Sequence, residues 1–252
     1  MTRKNEQITE IHQSSNLLFA PECKAVSIEE AEKIAARCTD YNDSCSEKRN
    51  FKFLEIKGAT FNREDFSSIE AHYSKFVDCE FNECKLSRME AYFATFENCT
   101  FKNCDLENAN FSFCSTDTVF FYNCDLNGAD FPFARGHFIC SGCMLERSTA
   151  NHSNLKLELS NTNAFGFEAN CSKLEIRAND SCLKRSEFND GEICGEIRSS
   201  DLSDAEFNRS KLSDLYFAEG NAICGLETED SEGFEGFEGF EISLEEELDD
   251  ED

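Results

Sequence analysis

His137-x-x-Cys140-x-x-Cys143 is the one stretch of this 252-residue chain with metal-like spacing. Imidazole nitrogen and thiolate sulfur suit zinc, but a structural zinc site closes a tetrahedron of four ligands. These three lack a fourth, and Cys143 also fits an inward slot of the repeat described below. They are at most a partial set, so no metal and no cofactor is assigned. The other histidines, His12, His72 and His152, sit in no catalytic motif. No glycine-rich phosphate loop follows a strand. Carboxylates are plentiful, yet they fall at outward repeat positions, where a solvated face accounts for them. The chain reads as a non-enzyme.

Its other chemistry is bulk. There are 15 Cys, 25 Phe and no Trp, and the formal net charge is −27. Residues 1–16 carry no apolar stretch of the signal-peptide kind, and no 18-residue apolar run exists. A cytoplasmic location is therefore expected, with reduced thiols packed as small hydrophobes. Half of the charge is local: residues 227–252 hold 14 acids and no base. Residues 51–226 have a net charge of only −11.

What must position these residues is a repeat, and repeats are best sought before secondary structure. From Ile56 to Phe131 every fifth residue is Ile, Leu or Phe in thirteen of sixteen cases. Phe76, Phe81, Leu86, Phe96, Phe101, Leu106, Phe111, Phe121, Leu126 and Phe131 belong to this series. Two places earlier stand small or apolar residues, among them Cys79, Cys84, Cys99, Cys104 and Cys124. On an α-helix five residues turn about 500°, so no face would form. A continuous strand needs period two, which the three-residue step breaks. A short extended piece followed by a corner satisfies both steps. Four such sides close a coil of about 20 residues that advances roughly 4.8 Å, the inter-strand spacing.

Segments such as CDLEN (104–108), ANFSF (109–113), CDLNG (124–128), ADFPF (129–133) and SDLSD (200–204) carry a family's pattern. The chain resembles the pentapeptide-repeat family, whose motif is A-(D/N)-(L/F)-x-x. That resemblance implies an all-β fold, a right-handed quadrilateral β-helix, over residues 51–226. FVDCEFNECKLSRMEAYFATFENCTF (76–101), CDLNGADFPFAR (124–135) and NAICGL (221–226) are similar to the quinolone-resistance, or Qnr-like, branch. In that branch the resemblance implies an anionic homodimer, joined through its C-terminal coils, that binds DNA gyrase and topoisomerase IV in place of DNA. The coils would make a rod of about 40 Å, over which duplex DNA carries about 24 charges.

The repeat frame slips near 132–142 and again over 156–180. Each slip calls for a bulge or for a loop leaving the coil, and such loops are where specificity resides. Arg135, His137 and Phe138 are therefore candidate partner-binding residues. Within the N-terminal segment 1–50, SIEEAEKIAARC (27–38) reads as a capping helix. Ser27 and Glu30 stand at capping-box spacing, and Ile28, Ala31, Ile34, Ala35 and Cys38 line one face. The tail 227–252 has a composition that argues for disorder. Phe234, Phe237 and Phe240, with Glu245, Glu246 and Glu247, are its candidate contacts for a basic groove. The expected partner is a DNA-binding protein such as a type II topoisomerase, with no direct nucleic-acid binding and no membrane. The alternative is an adaptor or effector scaffold that displays loops and termini to another protein. Acids gathered on one face would favour the first reading, and an even scatter the second.

Overall fold

A chain that must hide two side chains in every five residues winds, and the winding is regular enough to count. A computed structural model describes residues 22–39, 50–218 and 220–233. They form a parallel β-solenoid of about nine turns with one short helix. Strand β1 (Lys24–Val26) lies parallel to β2 (Leu54–Lys57), and helix α1 (Ile28–Thr39) stands between them in sequence. Ser27 caps α1: its Oγ accepts the Glu30 N–H at 3.1 Å. The Glu30 carboxylate turns to Lys24 instead of closing the box. Ala31 and Ala35 are buried and Ile34 is partly buried, whereas Ile28 is 46% exposed, outside the face assigned to it. The Cys38 side chain lies outside the described ones.

In the first coils the steps between inward residues alternate two and three. Ser74, Phe76, Cys79, Phe81, Cys84, Leu86, Met89 and Ala91 are all buried. Short strands make two sides: β3 (Thr60–Asn62), β4 (Lys75–Val77), β5 (Glu80–Asn82), β6 (Thr95–Glu97) and β7 (Cys99–Lys102). Each corner needs a residue in the left-handed region. Arg63, Ser68, Tyr73 and Asp78 supply the four of one coil, with φ of 58°, 59°, 55° and 51°. Rings stack between coils, as Phe81 does on Phe101 with centroids 4.6 Å apart. The thiols fill the small slots and donate to a carbonyl of the coil before: Cys104 Sγ reaches Phe81 O at 3.3 Å. Burial pushes the Cys114 thiol up to about 12, so it stays protonated.

The frame slips are not loops. From β8 (Ser115–Tyr122) onward two adjacent sides straighten into one strand. That strand recurs as β9 (Arg135–Ser141), β10 (Asn154–Ser160), β11 (Lys173–Asn179) and β12 (Glu192–Arg198), and β13 (Lys211–Phe217) follows with a corner returned at Asp214, φ 55°. In the coil starting at Ser153 the buried residues are Leu155, Leu157, Leu159, Thr162, Ala164, Phe167, Ala169 and Ser172. One three-residue step has become two, and one corner has gone. Bridges therefore fall 20 residues apart as far as Asp105↔Asp125, then 19 apart at Asp125↔Met144, Met144↔Asn163 and Asn163↔Cys182. Corners of this coil are Asn161, Gly166 and Cys171, so the four-sided section becomes three-cornered. Segments 132–142 and 156–180 remain inside the coil, because alternation such as Leu155-Lys156-Leu157-Glu158-Leu159 is a strand signal.

Two glycines permit the straightened strands. Gly136 and Gly195 have φ of 126° and 124°, and an added Cβ would fall 2.0 Å from Thr116 O and 1.9 Å from Ile176 O. Gly195→Ala should therefore destabilise by more than the roughly 1–2 kcal/mol of ordinary left-handed strain. Phe101→Ala should cost about 3–5 kcal/mol, and Lys102→Ala about 0.5 kcal/mol or less. Urea unfolding of the three variants checks this, and equal losses at Phe101 and Lys102 would contradict the solenoid register.

Candidate functional site: one acidic side of the solenoid

Because coils stack in register, each outward residue belongs to a column that runs along the rod. One column reads Asn50, Glu70, Glu90, Asn110, Asp130, Thr149, Glu168, Glu187, Glu206 and Glu227 through successive bridges. Seven of these ten are acids and none is a base. The same side adds Glu229 from its middle column, and Asp190 and Asp230 from its corner. Its bases are Lys52 and Arg209. Residues 50–218 and 220–233 hold 31 acids and 17 bases. The side thus has a net charge of −8 within a described solenoid of −14. Acids are segregated.

Elsewhere on the rod acids find bases. Arg63 meets Glu83 at 2.7 Å, Lys75 meets Glu97 at 2.8 Å, and Arg177 meets Glu175 at 3.0 Å. On the acidic side the ion pairs are Lys52 with Glu70 and Arg209 with Asp190. Like charges opposite one another in a ladder are destabilising, and at about 4 Å in water each such contact costs about 1 kcal/mol. The side holds them with amides. Asn151, Asn170, Asn189 and Asn208 form the neighbouring column. Each Asn Nδ2 donates to the glutamate of the next coil: Asn170 to Glu187 at 2.9 Å and Asn189 to Glu206 at 3.0 Å. Each Oδ1 accepts the backbone N–H of the residue one coil on, Asn189 to Asn170 at 2.8 Å, Asn208 to Asn189 at 2.7 Å and Glu229 to Asn208 at 2.7 Å. In the first coils Asn110 donates to Glu90 at 3.2 Å, and Thr149 to Asp130 at 2.9 Å.

At the corner of this side runs a third column, of rings. Phe53, Tyr73, Phe93, Phe113, Phe133 and His152 stack on the outside with centroids 5.4, 5.1, 4.7, 4.7 and 5.1 Å apart. Phe53 is 41% exposed and Phe93 36%. All six have positive φ.

The structure turns His137 away from Cys140 and Cys143, whose side chains are neighbours. Cys140 and Cys143 are buried, whereas His137 faces outward and its Nε2 lies 3.1 Å from Glu158 Oε1. No group of three or more His, Cys, Asp or Glu that could hold a metal exists among the described residues. Partial burial raises the Glu158 carboxyl, but Lys156 and His137 outweigh it and hold the group below the usual carboxylate range. Phe138 is not on the surface: it packs on Phe131 inside, beside a small apolar void where the straightened strands begin. Arg135 is exposed, at the rim of a shallow concavity of about 640 Å³ that also touches Lys156, Lys173, Glu175, Glu192 and Asp214. Its charges balance. Phe76, Cys79, Phe81, Cys84, Leu86, Phe96, Cys99, Phe101, Cys104, Leu106, Phe111, Phe121, Cys124, Leu126 and Phe131 all lie in the interior. Phe234, Phe237, Phe240, Glu245, Glu246 and Glu247 lie outside the described residues. Sequence reasoning missed the three columns, although Asn151, Asn170, Asn189 and Asn208 stand 19 apart and Phe53, Tyr73, Phe93, Phe113 and Phe133 stand 20 apart.

Residues 74–155 match the family model described as a pentapeptide repeat region. No curated protein matches the chain at a significant level. Among solved structures it is similar to HetL, a pentapeptide repeat protein involved in heterocyst differentiation regulation from the cyanobacterium Nostoc sp. strain PCC 7120. The identity is 12% over 81% of this chain and 92% of that one, with a TM-score of 0.29. It is also similar to a trypsin-treated form of QnrB1, a plasmid-mediated fluoroquinolone resistance protein. There the identity is 22% over 71% and 86% of the two chains, with a TM-score of 0.32. Rfr23, a pentapeptide repeat protein from the cyanobacterium Cyanothece 51142, is 13% identical over 70% and 86%, with a TM-score of 0.22.

The asparagine column makes a specific prediction. Asn189→Ala leaves the N–H of the buried Asn208 without its acceptor, a loss of about 1–3 kcal/mol. Asn189→Asp keeps the acceptor but sets a second carboxylate against Glu206. Its native-state carboxyl is then raised by like charge, so the penalty is full at neutral pH and fades as pH falls below about 4–5. Thermal unfolding of both variants at pH 7 and pH 4 reads the difference.

Proposed function

From the premise that the chain is a pentapeptide-repeat protein, we propose that it acts without catalysis, as an acidic DNA mimic. Its target is the basic DNA-binding groove of a protein such as DNA gyrase or topoisomerase IV, which it inhibits or shields from inhibitors. The observation that carries this reading is the segregation of charge. Glu70 to Glu227 spans eight coil steps, or about 38 Å at the inter-strand spacing. One strand of B-DNA places about eleven phosphates on that length. The acidic side offers a net −8. The whole solenoid falls well short of a duplex, but one side approaches a single strand's charge. Such a surface meets Lys and Arg without reading bases, and its sign disfavours nucleic acid itself as ligand.

A cytoplasmic location goes with the proposed target. A homodimer through the C-terminal coils belongs to the same reading, since Leu215, Ile223 and Leu226 are only partly buried near that end. Two copies end to end would double the length of the acidic side.

The test is gyrase supercoiling, with and without a fluoroquinolone, using the full chain and a Glu168→Gln/Glu187→Gln/Glu206→Gln variant. Neutralising the column should weaken inhibition or protection. Direct binding should fall on the order of a hundredfold or more between about 50 and 200 mM salt, as phosphate-type contacts do. Binding that ignores both the substitutions and the salt would instead favour the adaptor reading.

A further inference from the structure

The ring column and the acid column lie on one side of the rod, three residues apart in every coil. Phe93 follows Glu90, and Phe133 follows Asp130. Three residues span at most about 10 Å, close to the diameter of an α-helix with its side chains, about 10–12 Å. Between them the middle column is low: His72 is buried, and Tyr92, Ser112 and Pro132 are half-buried. The two columns therefore frame a strip that one helix can cover and a single extended strand cannot.

A structural need alone does not place the rings. Aromatic residues at left-handed corners carry the strain of that conformation, about 1–2 kcal/mol each. The other corners of the same coils use Arg63, Glu83 and Asn103, or Ser68, Arg88 and Asn108. Five aromatics and a histidine in succession occur at one edge of the acidic side, whereas the corner at its other edge carries Ser68, Arg88 and Asn108. Stacking returns about 0.5–1.5 kcal/mol per ring pair, which offsets the strain without accounting for the choice of corner. The ring edges remain in solvent as a narrow apolar stripe of about 24 Å along the axis, five coil steps.

We infer that this strip is a docking site for a basic amphipathic helix of a partner protein, with apolar residues on the Phe53–His152 ladder and Lys or Arg over Glu70, Glu90 and Asp130. Charge complementarity selects the occupant. A turn of helix rises 5.4 Å against about 4.8 Å per coil. Basic side chains along the helix thus stay within reach of Glu70, Glu90 and Asp130, which span three coil steps with Asn110 between the last two, the slack being taken up by their long stems. A second copy of this chain would bring acid against acid and is excluded as occupant. The inference rests on the acidic-mimic reading and specifies the element on the N-terminal half that such a target would present. The asparagine-braced acids from Glu168 to Glu227 remain for dispersed basic groups.

The test uses the full chain and two fluorescent 18-residue peptides of identical Leu and Lys composition. One has its leucines in a helical stripe and the other is scrambled. At about 150 mM salt the striped peptide should bind about tenfold or more tighter, as burial of a few ring edges requires. Phe93→Ser/Phe113→Ser should bring that ratio to about one, whereas Glu90→Gln/Asp130→Asn should weaken both peptides. Should the ring variant lose its fold, a photo-crosslinking leucine analogue in the striped peptide decides, and it should label Tyr73 to Phe133. Equal, salt-sensitive binding of both peptides, or labelling confined to 168–227, overturns the inference while leaving the acidic-mimic reading intact. Absence of binding by either peptide counts against both.

Discussion

Everything on this molecule depends on stacking one coil on the next in parallel register. The backbone ladder fixes a spacing of about 4.8 Å, and the interior is filled by side chains that repeat with it. Phe61, Phe81, Phe101 and Phe121 stand ring over ring. Such a core tolerates one residue more or fewer per coil only where the chain can change its number of corners. Once the register is set, it acts outward as well as inward. Whatever stands at one outward position is lined up with its counterparts, whether charges, amides or rings. The solenoid converts sequence spacing into surface columns.

That conversion explains which parts were legible in the sequence. The inward series from Ile56 to Phe131 is an interior constraint, and each position carries its own signature of size, so the coil could be read directly. The helix at Ile28–Thr39 was legible for a similar reason, although Ile28 faces solvent. Beyond Phe131 the same logic still holds with two in place of one three-residue step. Lys156 and Glu158 between Leu155, Leu157 and Leu159 are plain alternation. Against a five-residue template they look like a break, which is why the sequence suggests a bulge or a loop where the structure has β10. The acidic side was hidden by the same change. Glu90 to Asp130 falls on a spacing of 20 and Glu168 to Glu206 on 19, so no single row length shows the column whole.

The column of acids also separates folding from function. Ion pairs between exposed residues contribute little, and the other sides use them to relieve cross-coil repulsion. On the acidic side the stacked glutamates are retained, and an asparagine ladder is added to hold them. The amides satisfy backbone donors and orient carboxylates without neutralising them. A sequence under pressure only to fold would have a simpler route, a lysine in alternate coils, as the Arg63–Glu83 and Lys173–Glu192 pairs illustrate elsewhere. Keeping the charge while fixing its geometry is what the proposed attraction of a basic partner requires.

The change from four corners to three divides that surface into two kinds of ground. Up to Phe133 the corner beside the acids is aromatic; after His152 it becomes Cys171, Asp190 and Arg209. Over the same interval the middle column passes from His72, Tyr92 and Pro132 to the run of asparagines. The acid column continues through both halves, because the side that carries it keeps its five-residue length while the neighbouring two sides fuse. A partner lying along the rod therefore meets a line of charge with an apolar border at one end and a polar border at the other. Electrostatic attraction is stronger toward the C-terminal end, where Glu168, Glu187, Glu206 and Glu227 follow one another, than toward the N-terminal end, where Asn50, Asn110 and Thr149 interrupt the acids. The border adds to that polarity. An apolar element on the partner can be accommodated at the aromatic end alone, so the direction of docking follows from where the rings stop together with where the charge is densest.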